Sequence, residues 1–243
     1  MKKCQNCDNE LRESYAYCPF CGQNQIEGNS LRGLFNQFLN DYFTFDSKIW
    51  RTVKPLIVKP GFLTMAYLEG KRKRYVPPLR LFIFSSIIFF LVLSVFNTHS
   101  ADLASISEEE ARLNRYFESW LPKLFFVLLP IFAFLLRMFF KKKRRTWLPH
   151  FLAAFHFHAA IFAAGTFYVL LSTLFRAFDL LVVNQVLIGL FLLYLFYYLY
   201  QSCKSIYQAK VVSTMLKEIG LLLIYLFVLV SLSLLLLLLS YNS

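Results

Sequence analysis

Residues 219–239 read IGLLLIYLFVLVSLSLLLLLL, a run with no charged side chain. At ~1.5 Å per residue such a run is about 31 Å long as a helix, enough to cross the ~30 Å hydrocarbon core of a bilayer. There every backbone N–H and C=O must be bonded within the segment, so the run is predicted to be a transmembrane helix. Four more stretches of the same kind precede it: Leu79 to Phe96, Leu121 to Phe140, Leu148 to Phe175 and Asn184 to Tyr200. Composition agrees with five spans. Of 243 residues, 58% are hydrophobic and only 16% charged, whereas a soluble domain carries about 25% charged residues. Too few charges remain to cover a water-facing surface, and the expected fold class is an all-α membrane protein.

The net charge of +12 is unevenly placed. With a cytoplasmic N-terminus, 22 of the 26 Lys and Arg fall inside: in residues 1–80, in Lys141 to Arg145 with Arg137, and in a loop from Ser202 to Glu218. The opposite side holds only Arg112, Arg115, Lys123 and Arg176, and its first loop carries Asp102, Glu108, Glu109, Glu110 and Glu118. The positive-inside rule therefore puts the N-terminus in the cytoplasm and the uncharged tail, Ser240 to Ser243, outside. Met1 to Glu10 contains no apolar h-region, so no signal peptide is expected there and the N-terminal thiols face reducing surroundings.

Those thiols are Cys4-x2-Cys7 and Cys18-x2-Cys21. Each Cys-x-x-Cys turn aims two sulfurs, and two such turns complete a tetrahedron around a metal ion. Zinc is the expected ion, with iron its rival because four thiolates suit both. Protein fills all four positions, so the site is expected to be structural rather than catalytic. Gly22 is free to take a positive φ after the second pair, and Asp8 holds the matching place after the first. About 25 residues cannot bury enough apolar area to fold unaided, so metal binding is expected to supply most of the folding energy. Lys2, Lys3 and Arg12 are balanced by Asp8, Glu10 and Glu13. A neutral ribbon lacks the charge that drives phosphate contacts, and no direct nucleic-acid binding is expected. Tyr15, Tyr17 and Phe20 either cover the metal or form a contact surface for protein. The fifth cysteine, Cys203, is expected to be a small packing residue.

Between ribbon and membrane, Leu31, Leu34, Phe35, Phe38, Leu39, Tyr42 and Phe43 follow Ser30 at helical spacing, predicting an amphipathic helix that packs on the bundle or lies in the headgroup layer. A second helix starts near Asp46 or Ser47 and carries Ile49, Trp50, Val53, Leu56 and Ile57, with Pro55 placed to distort it. Pro60-Gly61 breaks the chain, and a third helix ends at Gly70. Lys71, Arg72, Lys73 and Arg74 follow, and beside a membrane each such cation gains ~1 kcal/mol from anionic lipid, making them candidates for headgroup binding. The chain thus divides into a ribbon (1–27), interfacial helices with the basic run (28–78) and a bundle (79–243).

Arg51-Thr52, Pro60-Gly61 and Tyr67-Leu68-x-Gly70-x-Arg72-x-x-Tyr75-x-x-Pro78, preceded by the two cysteine knuckles and followed by several spans, resemble a domain-of-unknown-function family of bacterial multi-pass inner-membrane proteins with an N-terminal zinc ribbon. The resemblance covers residues 1 to about 96. It implies location and architecture, and it brings no activity with it.

Inside the spans, His156 and His158 are candidates for an intramembrane polar site, with His150 nearer the interface. At ~100° per residue His156 and His158 point ~160° apart, so one helix does not aim both at one ion. The spans as delimited lack a central Asp or Glu, Pro130 lies in the second, and Ala159, Ala160, Ala163, Ala164 and Gly165 make the third the candidate centre of the bundle. The leucine-rich fifth is expected to face lipid or a partner. No Gly-x-Ser-x-Gly, His-Glu-x-x-His or Walker motif occurs in its required context. The favoured reading is a non-enzymatic adaptor or accessory subunit presenting the ribbon to a protein partner, in one version protein translocation or insertion machinery. A transporter for a small or lipidic solute, using His156 and His158, is the alternative. A lipid-acting enzyme involving His150 and Arg72 is the third.

Overall fold

The computed structural model describes residues 2–25, 48–98, 108–141 and 146–241. Among them, strands β1 (Lys2–Lys3) and β2 (Glu10–Leu11) pair antiparallel, and seven helices follow: α1 (Lys48–Val58), α2 (Phe62–Leu68), α3 (Pro78–Thr98), α4 (Glu108–Phe140), α5 (Leu148–Ala177), α6 (Leu181–Tyr207) and α7 (Val211–Tyr241). Helices α3 to α7 are each long and apolar enough to cross a membrane. The chain is a multi-pass, all-α membrane protein with a cysteine cluster at its N-terminus. The amphipathic helix expected from Ser30 to Phe43 lies outside the described residues.

Helix α5 is the centre, packing against α3, α4 and α6 and also against α1 and α2. Without a hydrophobic driving force between helices in lipid, association rests on close packing and interhelical polar bonds. Small residues supply the first. Ala159 and Ala160 are fully buried, and a Cβ built on Gly165 would lie 2.8 Å from Cε2 of Phe89 on α3. Around them Phe132 stacks on Phe157 at 5.0 Å between ring centroids, and Phe82 packs edge-on against Phe126 at 5.1 Å. Helix α7 is exposed along most of its length, as its leucine-rich sequence predicts.

Two boundaries differ from expectation. Helix α4 starts at Glu108, well before its apolar stretch at Ser119, because Glu108, Glu109, Glu110 and Ala111 are good helix formers where a loop was expected. The inner loop expected from Ser202 to Glu218 shrinks to residues 208–210. Helix α6 runs to Tyr207, and α7 begins at Val211. The polar residues that read as loop sit on helices whose buried face continues through Ser202, Cys203, Ile206, Tyr207, Thr214 and Glu218. Glu218 therefore lies within the apolar span Val211–Leu238, fully buried, contrary to the expectation of a loop carboxylate.

Helices α1 and α2 form an elbow on the bundle. Leu56 is buried, whereas Trp50 points away at 81% exposure and leaves the predicted stripe. Pro55 is accommodated inside α1. Gly61 makes the turn with φ +80, and a Cβ there would meet Ser202 Cα at 3.1 Å and Ser205 Cβ at 3.0 Å, so α2 starts hard against α6.

Candidate metal centre and its seat

The two cysteine pairs fold into matching knuckles. In the first, Cys4 N–H donates to the Asn9 carbonyl at 2.9 Å and Asp8 N–H to the Cys4 carbonyl at 2.9 Å. In the second, Cys18 N–H donates to Gln23 at 2.9 Å and Gly22 N–H to Cys18 at 2.8 Å. Asp8 at φ +62 and Gly22 at φ +70 close the turns in the left-handed region, as their positions after each pair predict.

This geometry brings four sulfurs together. Sγ of Cys4 lies 3.7 Å from Cys21 and Sγ of Cys7 lies 3.7 Å from Cys18, with all four within 4.8 Å of one another. A tetrahedron with ~2.3 Å zinc–sulfur bonds has edges of about 3.8 Å, so the set fits one four-coordinate ion. The separations exclude disulfides, whose sulfurs lie ~2.05 Å apart. Asn9 Nδ2 donates to Cys7 Sγ at 3.4 Å and Gln25 Nε2 to Cys4 Sγ at 3.6 Å, second contacts of the kind that orient thiolate ligands. A backbone hydrogen bond from Asn9 is the main cause holding the Cys7 thiol down to about 7, and burial pushes Cys21 up to about 12. Tyr15, Tyr17 and Phe20 are 39%, 62% and 68% exposed and stand outside the buried cluster of Cys4, Leu11 and Cys18.

The ribbon is fastened to the segment that follows α2. Gln23 Nε2 donates to the Gly70 carbonyl at 2.7 Å, and Gln23 Oε1 accepts from Arg72 N–H at 3.3 Å. Asn6 Oδ1 accepts from Arg74 N–H at 3.1 Å. Gly70, at φ +92, leaves room for the side chain of Gln5, whose Cβ would lie 2.8 Å from a Cβ on residue 70. Gln5 and Asn6 stand between the ligands of the first knuckle, and Gln23 directly follows the second. The two bonded amides, Asn6 and Gln23, thus sit within or next to a cysteine turn, as does Gln5, which packs against Gly70.

Lys71, Arg72, Lys73 and Arg74 are consequently a seat as well as a charge run. Lys71 pairs with Glu69 at 2.7 Å, which raises its pKa, and the Arg72 guanidinium lies 5.5 Å over the Tyr67 ring. Composition offered no cue to the amides. A polar residue inside a Cys-x-x-Cys turn was the available signal, and it reads equally well as surface.

His156 and His158 are not brought together. His156 Nδ1 bonds Thr64 Oγ1 of α2 at 2.8 Å. His158 Nδ1 lies 2.8 Å from the Ala154 carbonyl and so must donate to it, leaving Nε2 to accept from Tyr225 OH of α7 at 2.8 Å. His150 Nδ1 bonds Tyr207 OH of α6 at 2.9 Å. Each histidine of α5 ties that helix to a different neighbour. Cys203 is buried, as expected of a packing residue.

A family model described as a protein of unknown function (DUF3667) matches residues 46–90. The match takes in α1, α2, the seat and the first half of α3, where the sequence motif lies, and it stops short of the cysteines. No curated protein and no solved structure matches the chain.

Proposed function

We propose that the protein is a non-enzymatic membrane adaptor whose spans anchor a ribbon, held by a structural zinc ion on Cys4, Cys7, Cys18 and Cys21, on the cytoplasmic face of a bacterial inner membrane. The observation that carries this reading is the pairing of exposed aromatics with an anchored backbone. Tyr17 and Phe20 stand 62% and 68% exposed on a ribbon bonded to the membrane-proximal turn through Gln23 and Asn6. Aromatic side chains are enriched at protein interfaces, and a surface fixed in advance loses less ordering entropy when a partner binds. The cations of Lys71 to Arg74 lie on the turn to which the ribbon is bonded, where anionic headgroups support its position.

The alternative, a path for a solute along the histidines, has less support because each histidine has a hydroxyl partner on a separate helix. A pull-down in mild detergent tests the adaptor reading. The wild-type chain is expected to retain a stoichiometric protein partner that Tyr17→Ser with Phe20→Ser releases. Components of translocation or insertion machinery in the eluate identify the specific version. Absence of any partner, or its equal retention by the double variant, overturns the proposal.

A further inference from the structure

Beside the turn between α1 and α2, the last turns of α6 border a cleft of about 460 Å³, in the size range of ligand sites. Lys59 lies on the side of the turn, and Tyr197, Gln201, Lys204 and Ser205 line the side of α6. Two contacts fix these walls. Tyr194 OH donates to the Ile57 carbonyl at 3.0 Å, and a Cβ on Gly61 would lie 3.1 Å from Ser202 Cα, so the end of α1 and the start of α2 are both held against α6.

The lining is cationic and rich in donors. Neither α1 nor α6 contains an Asp or Glu, and no carboxylate lines the cleft. Among the described residues neither ammonium pairs with an acid: Lys59 lies 5.8 Å over the Phe62 ring and Lys204 5.9 Å over the Tyr200 ring. Gln201 Nε2 donates to Tyr197 OH at 3.3 Å, which leaves the phenol proton to donate in turn. Ser205 adds a hydroxyl on the same side. Two cations on one concave surface, with no acid between them, create a positive potential that an anion relieves.

Depth narrows the choice of anion. Over its 27 residues α6 is about 40 Å long, more than the ~30 Å hydrocarbon core, so its polar end, from Gln201 onward, reaches the headgroup layer. Lipid phosphate is the anion concentrated there, and ammonium, phenol and amide groups all donate to its oxygens.

We infer that this cleft is a phosphate-binding site, Lys59 and Lys204 neutralising the charge while Tyr197 and Gln201 donate to phosphate oxygens. The phosphate is that of an anionic phospholipid head or of a free phosphomonoester, which present the same chemistry to the cleft. The site shares no residue with the Lys71 to Arg74 run, and it stands whether or not the ribbon has a protein partner.

Native mass spectrometry of the full-length protein in a phosphate-free maltoside detergent tests it with two pairs of ligands: phosphatidylglycerol against diacylglycerol, and glycerol 3-phosphate against glycerol. In at least one pair the phosphate member is expected to bind about 25-fold more tightly, about 5-fold for each of two cations. A preference in the first pair alone identifies a lipid head, and one in the second pair identifies a free ester. Lys59→Gln and Lys204→Gln should each remove about 5-fold of the preference, and the double variant nearly all of it. Both lysines are exposed, so neither change should unfold the chain. Lys73→Gln, in the basic run, should leave the preference unchanged. No preference in either pair overturns the inference. So does a preference that survives in the double variant, or one that Lys73→Gln reduces as much as Lys59→Gln does.

Discussion

Gln23 and Gly70 are joined across 47 positions of sequence by one hydrogen bond of 2.7 Å, from the amide of a residue just past the last cysteine to a carbonyl just before the basic run. The same side chain accepts from Arg72 N–H, so one glutamine satisfies both a donor and an acceptor of the turn. The cysteine turns and this backbone are therefore coupled through Gln23, with Asn6 Oδ1 accepting from Arg74 N–H at a second point.

Replacing that amide has a defined cost. Gln23→Ala removes one donor and one acceptor from the turn and leaves the Arg72 N–H bonded only to the Gly70 carbonyl at 3.0 Å, a loss of ~0.5–1.5 kcal/mol. Hydrogen exchange at Arg72 is expected to quicken while metal content stays at one ion per chain. Unchanged exchange would mean that the ribbon is held elsewhere.

The two turn glycines differ from a glycine inside a span. Gly61→Ala and Gly70→Ala each place a Cβ at positive φ and against a neighbour, and each is expected to destabilise by about 1–3 kcal/mol. Gly189, with nothing within 4 Å of a Cβ, should tolerate alanine or gain up to ~1 kcal/mol from helix propensity. Melting midpoints in nanodiscs give the comparison, and equal shifts at all three positions would contradict it.

Metal affinity should fall with acidity. Thiolates bind the ion, and the Cys7 thiol is held at about 7 while that of Cys21 is pushed up to about 12. At pH 7 Cys21 carries a proton that the ion must displace. Below pH 7 Cys7 gains one as well, so affinity weakens further as the pH drops through that value. Calorimetry in buffers of different ionisation enthalpy should detect proton release, and affinity constant between pH 6 and 8 would refute the assignment. Cys4→Ser and Cys21→Ser should lose the ion and expose the ribbon to protease with the spans still inserted.

His158 and Tyr225 form a bond between α5 and α7. Tyr225→Phe leaves Nε2 unpartnered in an apolar setting and is expected to cost ~1–2 kcal/mol. The double variant His158→Phe with Tyr225→Phe should be less destabilised than the sum of the single ones, because no orphan remains. Strict additivity in thermal unfolding would show that the bond contributes nothing.

Glu218 is fully buried, and neither carboxylate oxygen has a hydrogen-bond partner. Glu218→Leu removes that burden and should stabilise the bundle by ~1–3 kcal/mol. Glu218→Gln removes the carboxylate but keeps a buried polar group, and should stabilise less than leucine does. A leucine variant that unfolds more readily would point instead to a bonded role for the acid.

Five spans and a four-sulfur site were legible in the amino-acid sequence because both are local. An apolar run long enough to cross a bilayer bonds its own backbone, and a Cys-x-x-Cys turn aims its two sulfurs without help from distant residues. The ends of α6 and α7 were less legible, since Lys204, Lys210, Lys217 and Glu218 read as a polar loop until the helices showed which of them face inward. The seat of the ribbon, the separate hydroxyl partner of each histidine and the burial of Glu218 were decided only in the tertiary structure. Each depends on where a polar atom meets another element, as Thr64 meets His156 across 92 positions. Hydropathy and spacing record the period of a helix, and neither records which distant side chain stands within 3 Å of a given donor.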